Sequence, residues 1–214
     1  KNTKMISARR YYIDYFYFKE TNHLSGTVLD IGGKKENKRG LFKPNNNLDC
    51  YYLNKDKTTN PDYELDANNF AIENVKFDYF ILSEVLEHLE YPEECLKSAH
   101  KILKKGGLGF ISMPFIFRKH EDPKDYQRWT DTKFKECLEK MDFKVISINN
   151  MGGVFSVIND FWLFSSLCSK RNLLGIINKI LFRVFSPLLK IIDRKTLYLS
   201  EKITSGWFII VEKK

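Results

Sequence analysis

Along this chain, short apolar runs alternate with segments of helical period. Residues 5–19 (MISARRYYIDYFYFK) carry apolar and aromatic side chains on more than one helical face. They predict a helix packed ahead of the first strand. Residues 27–32 (TVLDIG) read as a buried strand ending in glycine, 50–54 as a second, 63–66 as a short third and 77–83 (FDYFILS) as a fourth. In residues 92–104, Leu96, Ala99, His100 and Leu103 recur at three- and four-residue spacing. Pro92 and two glutamates open that segment, and lysines with Gly106-Gly107 follow it, which matches helix start and stop chemistry. Residues 108–113 predict a fifth strand, 132–141 a helix, 144–148 a sixth strand and 206–211 (GWFIIV) the closing one. The expected class is α/β, a mostly parallel seven-stranded sheet with helices on both faces.

Two stretches depart from plain alternation. Residues 33–48 carry Gly40, Pro44 and the Asn45–Asn47 run, with no apolar period, where a crossover helix would normally follow strand one. A loop or a stunted turn is expected there. Residues 154–193 form a long apolar insertion before the last strand, with no uncharged apolar run long enough to span a bilayer. Within 173–192, Lys179, Arg183, Ser186 and Lys190 share one stripe. Leu173, Ile177, Ile180, Leu181, Val184 and Leu188 form the opposite face. This predicts a basic amphipathic helix, broken near Pro187, that acts as a lid or packing helix, a dimer contact or a peripheral membrane contact.

The 214 residues fit one α/β domain spanning 1–214, with 154–193 as an insertion in it. Cys50, Cys95, Cys137 and Cys168 are far apart and form no CxxC pair, so reduced thiols of a cytoplasmic protein are expected, and no metal site. No secretory signal is visible. The net charge of +8 has two readings: an anionic partner, including the inner face of a membrane, or scattered solvated lysines.

The candidate chemistry gathers at strand ends. In Val28-Leu29-Asp30-Ile31-Gly32-Gly33, the glycines let backbone N–H groups approach a ligand. Asp30 can hold a cationic group or order the glycine turn. Lys34, Lys35 and Glu36 follow, so the GxGxxG of a dinucleotide-dependent oxidoreductase is missing. Asn54 and Asp56 end strand two, where an amide or acid accepts from ribose hydroxyls, and Asp66-Ala67 ends strand three. After strand five comes a dense polar and aromatic segment, residues 120–130 (HEDPKDYQRWT). There His120 can serve as general base, oriented by Asp122 or Asp125. The bland reading makes Thr130 or Asp131 an N-cap, Trp129 packing and Arg128 a partner for Asp125. His88 likewise reads either as an acceptor-side group or as a histidine bonded to backbone.

The ordered set VLDIGG, LNKD, ELDA, FDYFILSEVLEHL, LKKGG and LGFISMP resembles the class I S-adenosylmethionine-dependent methyltransferases, especially the type-11 methyltransferase domain, over about residues 27–148 and the closing strand. The 120–130 segment resembles a pattern of methyltransferases in surface-glycan pathways. The resemblance implies S-adenosyl-L-methionine as cofactor. Asp30, Gly32 and Gly33 would line its methionine end, Asp56 or Asn54 would hold the ribose, and Asp66 beside Ala67 would accept from the adenine amino group. Ser83 and Glu84 would contact the amino-acid end or the sulfonium side. His88, Tyr126 and Arg128 would bind the acceptor, with His120, Asp122 and Asp125 as the catalytic set. The third glycine and its helix are missing, so Lys34 or Lys35 is expected to replace the helix dipole with a direct charge.

The implied function is methyl transfer to a small-molecule, sugar or lipid-linked glycan acceptor, at oxygen. The basic positions Lys34, Lys35, Lys38, Arg39 and Lys43 would suit a phosphate-bearing acceptor. No (D/N)PP(F/Y) or Pro-Cys signature is present, and no added module fits, so sequence-specific nucleic-acid binding is not expected. The alternative is a non-catalytic subunit of the same fold that binds a protein or membrane partner through 154–193.

Overall fold

The computed structural model describes residues 6–35, 44–121, 123–168, 172–196 and 202–214. Asp122 and the basic positions Lys38, Arg39 and Lys43 lie outside the described residues. In chain order the elements are α1 (Ala8–Thr21), β1 (Gly26–Ile31), β2 (Leu48–Leu53), β3 (Phe77–Ser83), α2 (Pro92–Ile102), β4 (Leu103–Pro114), α3 (Asp131–Lys140), β5 (Phe143–Asn150), α4 (Val154–Cys168), α5 (Leu173–Thr196) and β6 (Gly206–Lys213).

Among the described residues the sheet has six strands, ordered β2-β1-β3-β4-β6-β5. Four strands pair in parallel, and β6 runs antiparallel to both β4 and β5. The expected seven strands are therefore corrected to six in a mixed sheet. Residues 63–66 make a single bridge, Leu53 with Tyr63, rather than a strand. The cause is local: the Asp62 carboxylate takes the Tyr52 N–H, and the Tyr52 carbonyl accepts from the Asp62 and Tyr63 N–H groups. The outer edge of β2 is satisfied before a further strand can pair.

Alternation along each strand sends side chains to two cores. Leu29, Phe80, Leu82, Ile111 and Ile209 pack with Leu96 and Ala99 of α2 and with Phe134 and Leu138 of α3. Val28, Ile81, Phe110, Phe208 and Ile210 pack with Tyr12, Ile13, Phe16 and Tyr17 of α1. Because both faces are covered, the strands read as continuous apolar runs. The stop signal after α2 was misplaced by the sequence pattern. Leu103 already pairs with Phe77, the register shifts, and Tyr79 then pairs with Leu108. Lys104 to Gly107 is thus an irregularity inside β4, with Gly106 at φ +74°.

The insertion is α4 and α5, joined to the domain by two buried acids. Asp160 accepts from the Ala8 and Arg9 N–H groups and so caps α1. Asp193 accepts from the Gly153 and Ser156 N–H groups and from the hydroxyls of Ser156 and Tyr12. Helix α5 runs through Pro187 unbroken, held before it by buried Phe182 and after it by Asp193. The period leaves open which face meets the domain. Gly175, Phe182, Ser186 and Asp193 face the domain, while Leu173, Leu174, Ile177, Ile180, Leu181, Val184 and Leu188 are exposed.

Candidate active site

The carboxyl ends of β1, β2 and β3 open onto a cavity of about 300 Å³, which reaches the segment after β4. Its first wall is the glycine turn. Gly32 has φ +78°, and a Cβ there would meet Val85 Cγ2 at 2.7 Å. A Cβ on Gly33 would sit 2.2 to 2.5 Å from the Asp30 carboxylate. Asp30 therefore lies against the turn and orders it, and Gly32 faces the cavity. Asn54 ties the same turn to β2: its side-chain NH2 donates to the Gly32 carbonyl at 3.1 Å and the Gly33 carbonyl at 3.0 Å. An acid cannot donate twice, which gives a physical reason for the amide at this position. Lys34 lines the cavity, whereas Lys35 pairs with Asp62 at 2.8 Å.

Asp56 lines the cavity and accepts from the Thr58 N–H at 2.9 Å and hydroxyl at 2.6 Å. These bonds hold its carboxyl below the usual range. Asp66 and Ala67 line it too. Asp66 accepts from the Asn68 N–H at 2.8 Å, the main reason its carboxyl also stays low. Glu84 follows β3 with φ +58°, a left-handed conformation that a non-glycine residue seldom adopts. Its carboxylate pairs with the Arg9 guanidinium, each side chain 9% exposed. Arg9 also lies 3.8 Å above the Phe117 ring, and burial lowers its pKa to about 10. Ser83 turns away from the cavity, its hydroxyl 3.4 Å from that of Ser112.

The far wall holds two imidazoles, His88 and His120. His88 Nδ1 donates to the Lys124 carbonyl at 2.5 Å. The His120 N–H donates to Asp125 at 2.9 Å, and its ring Nδ1 stands 3.6 Å from the same carboxylate. Arg128 holds Asp125 through both guanidinium NH2 groups. Burial works against the Asp125 charge, but Arg128 outweighs it and brings the carboxyl to about 2. Burial, helped by Arg9, lowers His120 to about 4 and keeps the ring neutral. The Tyr126 N–H donates to the Glu87 carbonyl at 2.8 Å, while its ring is exposed and outside the cavity. Trp129 is buried and its carbonyl accepts from Trp207 Nε1 at 2.9 Å. Thr130 caps α3.

The fold therefore brings Gly32, Asn54, Asp56, Asp66, Ala67, Glu84, His88 and His120 to one cavity. Asp30, Gly33, Ser83, Asp125 and Arg128 are not among its lining and stand behind those that are. Sequence reasoning missed Arg9, Arg10 and Lys55 in the lining. Arg9 left a signal: it shares a helical stripe with Tyr12, Ile13 and Phe16, so its guanidinium had to be buried. The residues fit an adenosyl donor. The carboxylates of Asp56 and Asp66 and the cations Arg10 and Lys34 line the same cavity, a set whose chemistry suits hydroxyl, amino and carboxylate groups.

Comparisons agree with this geometry. The chain is similar to the solved structure of the [4+2]-cyclase SpnF, with 13% identity, TM-score 0.58 and coverage of 94% of this chain and 80% of that one. It is similar to coclaurine N-methyltransferase bound to N-methylheliamine and S-adenosylhomocysteine, with 11% identity, TM-score 0.55 and coverage of 100% and 75%. A third is the O-methyltransferase of a trans-AT polyketide synthase multienzyme from Brevibacillus brevis, in complex with S-adenosylhomocysteine, with 11% identity, TM-score 0.56 and coverage of 94% and 71%. At such identities these likenesses speak for the fold alone. No curated protein matches the sequence. Residues 8–148, more than half of the chain, match the family described as methyltransferase domain, and the chain belongs to that family of S-adenosylmethionine-dependent enzymes.

Proposed function

We propose that this chain moves a methyl group to an oxygen of a small-molecule acceptor, a sugar or lipid-linked glycan. The observation that carries this is one cavity with Asp56 and Asp66 at its donor end and His88 and His120 at its acceptor end. S-adenosylmethionine, when bound, supplies a methyl group on a positively charged sulfur. The chain's own contribution is alignment, which supplies much of the rate when donor and acceptor are held in line. His120, fixed through Asp125, accepts the hydrogen bond of the acceptor hydroxyl. As the oxygen gains its methyl group, its proton becomes strongly acidic, so a weakly basic imidazole suffices to take it. Calorimetry with S-adenosylhomocysteine tests the donor half. Binding that is lost in Asp66→Ala supports the proposal, and no binding favours the non-catalytic subunit.

The acceptor is met at an anionic membrane surface on this reading. The exposed face of α5 is apolar over its length, from Leu174 at 74% exposure to Ile191 at 53%. No helix among the described residues is long and apolar enough to cross a membrane. The acids of α4 and α5, Asp160 and Asp193, are buried, so every exposed charge of the pair is basic: Arg183, Arg194 and Lys195. A two-fold contact between copies would set this basic rim against itself. Anionic headgroups complement it, and apolar side chains enter the acyl boundary. Co-sedimentation with vesicles of phosphatidylglycerol and phosphatidylcholine checks this. Binding to the mixed vesicles and not to pure phosphatidylcholine supports it. A stable dimer that ignores both overturns it.

A further inference from the structure

Glu87 is fully buried between Leu86 and His88, and neither carboxylate oxygen has a hydrogen-bond partner among the described residues. A buried carboxylate without a partner is costly, so the residue calls for one. Its Oε1 stands 3.7 Å from His88 Nε2 and 3.8 Å from His120 Nε2. These distances are too long for hydrogen bonds. They are near what two ligands span when each bonds one ion at about 2.0–2.2 Å. One ligand atom from each residue lies within 4.8 Å of the others. The two rings meet edge to face, with centroids 5.0 Å apart.

The far nitrogen of His88 strengthens the case. A carbonyl only accepts, so His88 Nδ1 carries the proton on Lys124 and leaves the Nε2 lone pair inward. An imidazole oriented by a carbonyl on the far nitrogen, as His88 is, is the usual support of a metal ligand. His120 is held to Asp125 by its backbone N–H; its ring Nδ1 stands 3.6 Å from that carboxylate, beyond hydrogen-bond reach, and its Nε2 lies 3.8 Å from Glu87 Oε1. Burial pushes the Glu87 carboxyl above the usual range, and the nearby cations Arg9 and Arg128 are paired with Glu84 and Asp125 instead.

We propose that Glu87, His88 and His120 hold one divalent first-row transition-metal ion, with an acceptor oxygen in an open position. Two imidazoles and one carboxylate suit Zn²⁺, Fe²⁺ or Co²⁺ and leave room for substrate. The use of the ion rests on the acceptor reading above. Both imidazoles line the cavity, so the open positions face the acceptor. With the ion bound, the His120 Nε2 lone pair would be spent on it; the ion would make the acceptor hydroxyl acidic, its proton would pass to solvent, and the oxygen would take the methyl group from sulfur, leaving S-adenosylhomocysteine. The absence of a metal expected from cysteine spacing does not reach this site, because His88 and His120 are 32 positions apart and meet only through the fold.

Titration of metal-stripped chain with Co²⁺, followed by d–d absorption, and with Zn²⁺ by calorimetry tests the site. S-adenosylhomocysteine binding is measured on the same samples. One equivalent bound per chain is expected, with affinity lost at least ~10-fold in His120→Asn and in Glu87→Gln and weakened about 10- to 100-fold in Asp125→Asn. Circular dichroism confirms folding, and His120→Asn, in an irregular segment, carries the test if Glu87→Gln does not fold. Unaltered chain that binds S-adenosylhomocysteine but no metal overturns the site and leaves the donor reading standing. Metal binding indifferent to both substitutions overturns it as well. Metal bound without S-adenosylhomocysteine binding supports the site and overturns the donor reading.

Discussion

The donor end of the cavity and the α4–α5 insertion use polar residues in opposite ways. At the donor end, polar side chains reach short distances and hold backbone: Asn54 on the glycine turn, Asp56 on Thr58, Asp66 on Asn68. Asp56 and Asp66 each keep their second carboxylate oxygen out of those bonds. In the insertion, polar side chains face inward and hold elements far away in sequence, as Asp193 does with Tyr12 and Asp160 with Arg9. Apolar side chains are left at the surface. The contrast teaches that a polar stripe on a helix need not be its wet side, provided that each polar group in it finds a partner.

The largest effect expected from this comparison is at Asp193. Asp193→Ala leaves the N–H groups of Gly153 and Ser156 and the Tyr12 hydroxyl without their acceptor. A loss of about 3–5 kcal/mol in urea unfolding is expected. A loss below about 1 kcal/mol would mean that helix α5 is not held by this acid. Next comes Phe182→Ala. Phe182 is one of the few large apolar side chains of α5 that faces the domain, packed on Trp162. Its truncation is expected to cost about 3 kcal/mol, and a neutral result would place the packing elsewhere.

Part of the donor end could be read from sequence because the partners of Asp56 and Asp66 are local, whereas the Asn54 bonds to Gly32 and Gly33 span more than twenty positions. The strand-glycine signal, the Asp56 carboxylate on Thr58 and the acid after the Tyr63 turn all act within a few residues. What sequence pattern could not reach depended on distance. Period alone showed that 173–192 is amphipathic, but not which face meets the domain, because that was decided by Gly153 and Tyr12. The segment 63–66 looked like a strand because its composition suits one, and one side-chain bond from Asp62 removed its edge. Glu87 was legible as a member of the FDYFILSEVLEHL run. That its oxygens would be buried beside a second imidazole was not.

A middle-sized effect tests the donor end itself. Asn54→Asp exchanges two donated bonds for a carboxylate facing the Gly32 and Gly33 carbonyls. The turn should loosen, and S-adenosylhomocysteine binding should weaken about 10- to 100-fold, roughly 1.4–2.8 kcal/mol. Unchanged affinity by calorimetry would mean that the glycine turn is ordered by Asp30 alone.

The smallest expected effect is the one that separates the two regions most sharply. Val184 is 63% exposed and lies two residues from buried Phe182. If the apolar face of α5 meets only water in the free chain, Val184→Asp removes no packing and buries no charge. Stability should then change by no more than about 0.5 kcal/mol in the same urea titration that registers Phe182→Ala. Vesicle binding should fall, because an acid now faces the anionic surface. The two readings constrain each other. A large stability loss would show that Val184 packs against this chain, and the exposed face would cease to be a surface. Unchanged stability with unchanged vesicle binding would keep the exposed apolar face of α5 and remove the membrane from it.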